Sequence, residues 1–450
     1  MQTDNQNRNK LAQFGGTPCI NTRSPHEVWP PPPTTEELDE ICSQRRRDIS
    51  IKGRSSIIRE FEEQFLCFLE GHRKYAVTFN SGTSALFAAY FALGVTEDDE
   101  VVGPALTFHA ALSPAYTLRA NVVLVDIDVN TRCIDVNRIE EAITGKTRVI
   151  TVVHQWGHPA DMDRVMEIAR KHKLYVIEDC SHAHGSRYKS KPVGTFGDVA
   201  VFSLQAAKMI YAGEGGILVT NSESVHDQAT LLGHYRDRSR DEIKDPLRQS
   251  YWVTGYGQKF RMSPLNAVVA KHSLRHFPER KRQRHLALEY LSSQLKQFSF
   301  LSIPSRSTDI DMGAWYGFKP LYNPEALHGI SIEVFLRALQ AEGLEISMAS
   351  APVLATQPLY SSERNPLFPN HKGRKIAKRF SLKNAELVQE RSLSLPTFNS
   401  WPNDKALIDL YVTAFEKVQK NAGALYEYYE GGKQQKIDDQ QQSESRLAAN

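Results

Sequence analysis

Three kinds of residue in this chain have the chemistry and the setting to act together. Lys208 lies in VFSLQAAKMIYAGEGGILVTN (residues 201–221), which reads as an apolar strand, a polar turn, a glycine-rich turn at Gly213–Gly216 and a second apolar strand. An amine held between buried strands loses water, which disfavours its charged form and leaves a nucleophile able to attack a carbonyl. Asp179 closes the apolar run LYVIED. An ionised carboxylate there is costly without a partner, which a protonated pyridine nitrogen, a salt bridge or a helix cap would supply. The turn NSGTSALFAAYFALG offers free backbone N–H groups, hydroxyls and the positive end of a helix dipole. That combination suits a phosphate, although Thr83 or Ser84 acting only as a helix cap satisfies the same pattern.

Other residues are more ambiguous. Phe108, in PALTFHAAL, is placed either to stack on a planar ring or to fill core. His182 and His184, in SHAHGS, are either partners for a phenolic oxygen or ordinary loop histidines. The two histidines of HQWGH stand four apart, as metal ligands on a helix do, but Gly157 and Pro159 argue against a helix there.

Positioning these side chains requires alternating strands and helices. After a helix over 57–69, strands are expected at Tyr75–Phe79, Val101–Gly103, Val122–Asp126, Val149–His154 and Leu174–Asp179. Helices are expected at Ala110–Leu118, Val136–Ile143 and Met162–His172. Alternation of this kind implies an α/β fold with a mostly parallel sheet covered on both faces. Ligands in such folds sit beyond the carboxyl ends of the strands, which is where Asn80–Thr83, His154 and Asp179 fall.

The division expected is an irregular, extended segment over 1–50, with a proline run at Pro30–Pro33, and a large domain over 51–297. A smaller domain over 298–430 follows, with helices at Ile332–Glu342 and Asp404–Lys420, and then a polar, disordered tail over 431–450. The basic run Arg275–His285 reads as the wet face of a long helix.

Composition narrows the function classes. A chain of 450 residues with formal net charge +3 is close to neutral for its size, which argues against nucleic-acid binding. Five cysteines without CxxC spacing give no zinc signature and suit a reducing compartment. The polar start and the lack of a membrane-length apolar run lead to the expectation of a cytoplasmic protein without membrane contact.

Taken together, SGTSAL, HQWGHPADMD, VIEDCSHAHG, VFSLQAAK and GEGGILVTN resemble the DegT/DnrJ/StrS family of pyridoxal-phosphate enzymes over residues 10–425. The resemblance implies the aspartate-aminotransferase-like fold (fold type I) and a Schiff base between pyridoxal 5'-phosphate and Lys208. It places Asp179 on the pyridine nitrogen, Gly82, Thr83 and Ser203 on the phosphate, Phe108 on the ring face and His182 toward the ring hydroxyl.

It also implies a homodimer with shared active sites. Many sugar aminotransferases of the family have an asparagine, reaching the neighbouring subunit's phosphate, where GQKFRM here has Lys259. That motif and LAQFGGTPCI are similar to the branch acting on ketocyclitols or making aminohydroxybenzoate. Cys180 stands where the family usually has alanine. The implied reaction moves an amino group from glutamine or glutamate to a keto-sugar or ketocyclitol. A dehydratase on the same fold is disfavoured, because the family's sugar dehydratases replace the lysine with histidine. A regulator that has lost its chemistry is disfavoured by the intact Lys208, Asp179 and Ser203.

Overall fold

The computed structural model describes residues 9–21, 26–50, 56–304, 307–361 and 380–431. Two helices come first, α1 (Thr35–Arg47) and α2 (Ser56–Phe68). Strand β1 (Tyr75–Phe79) then feeds helix α3 (Gly82–Ala92). Next are β2 (Glu100–Pro104), β3 (Asn121–Val125), β4 (Thr147–Val153), α4 (Met162–His172), β5 (Tyr175–Asp179), β6 (Val199–Ser203), β7 (Gly216–Thr220) and α5 (Glu223–Gly233). The long helix α6 (Pro264–Leu295) leads on to α7 (Ile332–Ala341) and α8 (Lys405–Lys420).

The strands form one sheet in the order β1-β7-β6-β5-β4-β2-β3. The pairings β3–β2, β2–β4, β4–β5 and β5–β6 are parallel, and β7 runs antiparallel to both of its neighbours. This arrangement positions the site. The register sets Phe79 and Ser203 on either side of Gly216, and Asp179 beside Val201. The carboxyl ends of β1, β5 and β6 and the amino end of β7 therefore meet at one edge.

Apolar residues explain the layers. The strands are buried nearly throughout, as expected of a sheet covered on both faces. The Ala-rich α3 packs on one face, and α2 and the first half of α6 pack on the other. A second core gathers the end of α6 with α7 and α8, and includes Leu11 and Ile20 from the start of the chain. Glu342 ties that start down: it is fully buried, accepts from Ala12 N (2.8 Å) and Cys19 N (3.2 Å), and pairs with Lys417 (2.8 Å).

Several expectations need correction. Residues 35–47 are helical rather than irregular. Thr34 caps that helix by accepting from Glu37 N at 3.1 Å, with Glu36 and Glu37 in its first turn and three arginines in its last. The helix expected over 110–118 is a 3-10 turn at His109–Ala111 followed by Ser113–Thr117, where Pro114 occupies the first turn. The one expected over 136–143 divides likewise into Val136–Arg138 and Ile139–Ala142. The basic face of α6 is not uniformly wet, because Arg284 is buried. The expected tail over 431–450 lies, beyond Gly431, outside the described residues. No described helix is long and apolar enough to cross a membrane.

Candidate active site

The edge where β1, β5, β6 and β7 meet opens into a cavity of ≈ 440 Å³, ample for a small cofactor with part of a substrate. Gly82, Thr83, Phe108, Asp179, His182, Ser203 and Lys208 all line it.

Lys208 sits in the turn between β6 and β7, held by its N–H to Gln205 O at 2.8 Å, and only 8% of it is exposed. Burial pulls its amine from 10.5 down to about 8, against the opposing pull of Asp179. Asp179 ends β5, also buried, and accepts from Ser181 N at 3.0 Å. Burial raises its carboxyl above the ordinary value, while Ser181, Lys208 and His154 favour the ionised form.

His182 stacks on Tyr316, with ring centroids 4.1 Å apart and planes within 7°. Burial, with the charge of Lys208 next, drives its imidazole well below its usual pKa, so the ring is neutral. Its Nδ1 is buried without a hydrogen-bond partner. The other face of the site is closed by Tyr316 itself, whose ring centroid lies 4.1 Å from Lys208 Nζ. Phe108 stands at the rim, 59% exposed.

The phosphate-like end is built by close approach. A Cβ on Gly82 would lie 2.9 Å from Ser203 Cβ, and one on Gly216 would lie 2.4 Å from Ser81 O. The cap of α3 is Ser81, whose Oγ accepts from Ser84 N at 3.0 Å, rather than Thr83 or Ser84. Thr83 therefore keeps its hydroxyl for the cavity, beside the first N–H groups of the helix.

Comparison with known proteins gives this geometry its context. Residues 34–407 match the model of the DegT/DnrJ/EryC1/StrS aminotransferase family. The chain belongs to that family. The L-glutamine:2-deoxy-scyllo-inosose aminotransferase of Streptoalloteichus tenebrarius is 32% identical over 92% of this chain and 99% of its own length. The L-glutamine:scyllo-inosose aminotransferase of Streptomyces griseus is 33% identical over 76% of this chain and 81% of its own. Among solved structures, an aminotransferase from Psychrobacter cryohalolentis superposes with a TM-score of 0.77 at 26% identity, covering 89% of this chain and all of the other. Enzymes of the family depend on pyridoxal phosphate.

Within this family aminotransferase, two residues expected in the crevice, His154 and Asn80, do not line it. His154 Nδ1 accepts from Ala160 N at 3.1 Å, so its Nε2 carries the proton donated to Glu178 at 3.2 Å. Glu178 is fully buried and also takes backbone N–H bonds from Gly194, Phe196 and Gly197 and an ion pair from Arg73. Burial works to raise its pKa, but His154, Arg73 and these N–H groups hold the carboxyl below its usual range.

The histidines of HQWGH do not share a helix, since Trp156 has φ 53°. The described His154–Glu178–Cys180 cluster has two members committed to these bonds, and the Cys180 thiol is pushed well above its usual pKa by burial. The bonds already made by His154 and Glu178 occupy the ligand atoms that a metal would need. His184 is buried against Phe202, where desolvation takes its pKa to about 3. Lys259 is exposed on a loop outside the cavity, 5.9 Å from the ring centroid of Tyr235. Asn80 also lies outside it.

Sequence reasoning missed Tyr316, Thr107 and Glu214, all of which line the cavity. Thr107 Oγ1 is fully buried and unpartnered there. Its position just before Phe108 was a usable signal. Tyr316 arrives from a distant part of the chain and has none.

Proposed function

We propose that this aminotransferase holds pyridoxal 5'-phosphate on Lys208 and moves an amino group from glutamine or glutamate to the keto group of a cyclitol or sugar. The observation that carries the reading is the meeting of a desolvated amine, Lys208, and a buried carboxylate, Asp179, in one cavity. The residues suit the cofactor. Gly82 and Gly216 let the turn before α3, Ser203 and β7 approach closely enough to gather N–H and hydroxyl groups at one end of the cavity, the buried Nδ1 of His182 awaits a hydroxyl, and Asp179 suits a cationic ring nitrogen.

When bound, pyridoxal phosphate supplies an electron sink for the carbon bearing the amine. The protein's own groups do the rest. Lys208 would hold the cofactor by its amine, and the same amine, its pKa lowered by burial to about 8, would take and return the proton at the substrate carbon. Asp179, made costly by burial, is relieved when a cation faces it, so it keeps that nitrogen protonated. Thr83, Ser203 and the first N–H groups of α3 hold the phosphate. Phe108 and Tyr316 restrict water at the rim.

The glutamine donor and ketocyclitol acceptor are supported by the names of the relatives above and by the GQKFRM motif. We further propose a homodimer in which Lys259 of one chain faces the phosphate end of the other's cavity, a large domain over 51–297 with a smaller one over 298–430, and a cytoplasmic location.

An absorbance spectrum of the purified protein tests the reading. A visible band that glutamine or glutamate abolishes, and that Lys208→Ala lacks, is the expected result. A protein that gains no band on adding pyridoxal phosphate would refute it.

A further inference from the structure

Two polar side chains that line the cavity have no part in the proposed cofactor cradle. The register that sets Ser203 beside Gly216 continues past the ends of β6 and β7, with Leu204 N bonded to Gly215 O at 2.9 Å and Ala206 N to Gly213 O at 2.8 Å. Gln205 and Glu214 therefore stand opposite one another, two residues beyond Ser203 and Gly216 and on the same face. The packing shows the alternation. Leu204 is core, a Cβ on Gly215 would lie 3.4 Å from Leu204 Cβ, and one on Gly216 would lie on the other side, against Ser81. Ser203, Gln205 and Glu214 line the cavity, whereas Leu204, Ala206 and Gly215 do not.

Each of the two presents a defined group. Gln205 Oε1 accepts from Ala207 N at 2.7 Å, which fixes the amide and leaves its NH2 as the free end. Glu214 is exposed, and its backbone O is held by Asn266 Nδ2 at 2.7 Å, while its carboxylate has no hydrogen bond or ion pair with any described residue. A donor thus stands beside an anionic acceptor. A phosphate or carboxylate placed there would meet the like charge of Glu214. A hydroxyl both donates and accepts, so two hydroxyls on neighbouring ring carbons match the pair, one donating to Glu214 and the other accepting from Gln205.

From this geometry, and resting on the aminotransferase reading, we infer that Gln205 and Glu214 bind neighbouring hydroxyls of the keto acceptor and so select a polyhydroxylated ring. Gln205 O also accepts from Lys208 N at 2.8 Å, so the hydroxyl-binding pair and the amine are held by one short stretch of backbone. Selectivity follows. The half-reaction with the keto acceptor uses the pair; the half-reaction with an amino acid, which carries no diol, does not.

The test runs both half-reactions on the loaded enzyme and adds a cofactor titration. Glu214→Gln keeps the shape of the side chain and removes its charge. Gln205→Glu keeps an oxygen for Ala207 N and removes the NH2. The acceptor probe is scyllo-inosose, the ketocyclitol in the name of the Streptomyces griseus relative. Its KM should rise about 10- to 100-fold in Glu214→Gln, the loss of one hydrogen bond to a charged group, and should rise in Gln205→Glu as well. The half-reaction with glutamine or glutamate should stay within about twofold in Glu214→Gln, inside the range of ordinary surface changes. Titration of the cofactor-free protein with pyridoxal phosphate should be equally unmoved.

Four results would overturn the inference while leaving the transaminase reading intact. An acceptor KM indifferent to Glu214→Gln would remove the contact. A loss as large with glutamine would assign the pair to the donor or to the turn as a whole, and weaker cofactor binding would assign it to the phosphate. A wild-type enzyme that glutamine or glutamate converts and scyllo-inosose does not restore would leave the pair no cyclitol to bind. A wild-type protein inert to both amino acids would instead overturn the transaminase reading itself.

Discussion

At the scale of single residues, burial makes Lys208 useful and also costly to the fold. Its amine is pulled from 10.5 to about 8, burial being the main cause and Asp179 opposing it. The folded protein therefore surrenders this proton before the unfolded chain does. Between about pH 8 and 10.5 the unfolded state binds more protons, so stability rises with pH across that window. Below pH 8 both states are protonated and the full penalty applies.

Lys208→Met should accordingly stabilise the cofactor-free protein at pH 7 by about 1–3 kcal/mol, the lower figure applying because Asp179 loses its neighbour. The gain should shrink toward zero by pH ~10.5. Urea midpoints of both proteins at pH 7 and 10 measure this, and an equal gain at the two values would contradict it. Lys208 and Asp179 were legible in the sequence because their surroundings are local, each being a charged residue at the edge of an apolar run. Tyr316 was not, since only the packing of a distant segment against His182 gives it a role.

At the scale of elements, the site depends on how closely β7 passes the turn after β1. Gly216 pairs with Phe79 on one side and Ser203 on the other. A methyl there would meet Ser81 O at 2.4 Å and Gly82 N at 2.6 Å, both backbone atoms. Gly216→Ala must move the turn that begins α3. It should cost about 1–3 kcal/mol, the usual range for overpacking, and should weaken pyridoxal-phosphate binding by displacing the first N–H groups of the helix. Denaturant midpoints and a cofactor titration read the two effects, and a variant as stable and as tight-binding as the wild type would show that the turn has slack.

Apolar periodicity carried most of this layer. β1 and α4 have the expected bounds, and the other expected strands are displaced by only a few residues. Helix α1 escaped because its sequence, TEELDEICSQRRR, has few apolar residues to mark a face, so only the Thr34 cap and the charge order announced it. His154 looked like a crevice residue because it follows β4 directly, but its ring turns inward to Glu178. Strand alternation does not reveal that choice.

At the scale of the whole molecule, Lys259 is where one chain falls short. It carries a phosphate-compatible charge in GQKFRM, yet it lies exposed and outside its own cavity. The proposed homodimer resolves this if Lys259 of the partner subunit completes each site. Two inactive chains can test the arrangement. Lys208→Ala removes the proposed cofactor attachment, and Lys259→Ala removes the proposed phosphate contact. In a mixed dimer with Lys259 acting across the boundary, both lesions fall in one site and the other site has an intact Lys208 and an intact Lys259. Statistical mixing makes half of the dimers mixed, with one of two sites restored, so co-expression should recover on the order of a quarter of wild-type activity. If Lys259 acts within its own chain, each site of the mixed dimer carries one lesion and nothing is recovered. Activity restored by co-expression, together with a dimer in light scattering, would place Lys259 across the subunit boundary. A dimer without restoration would return it to the surface loop on which it stands.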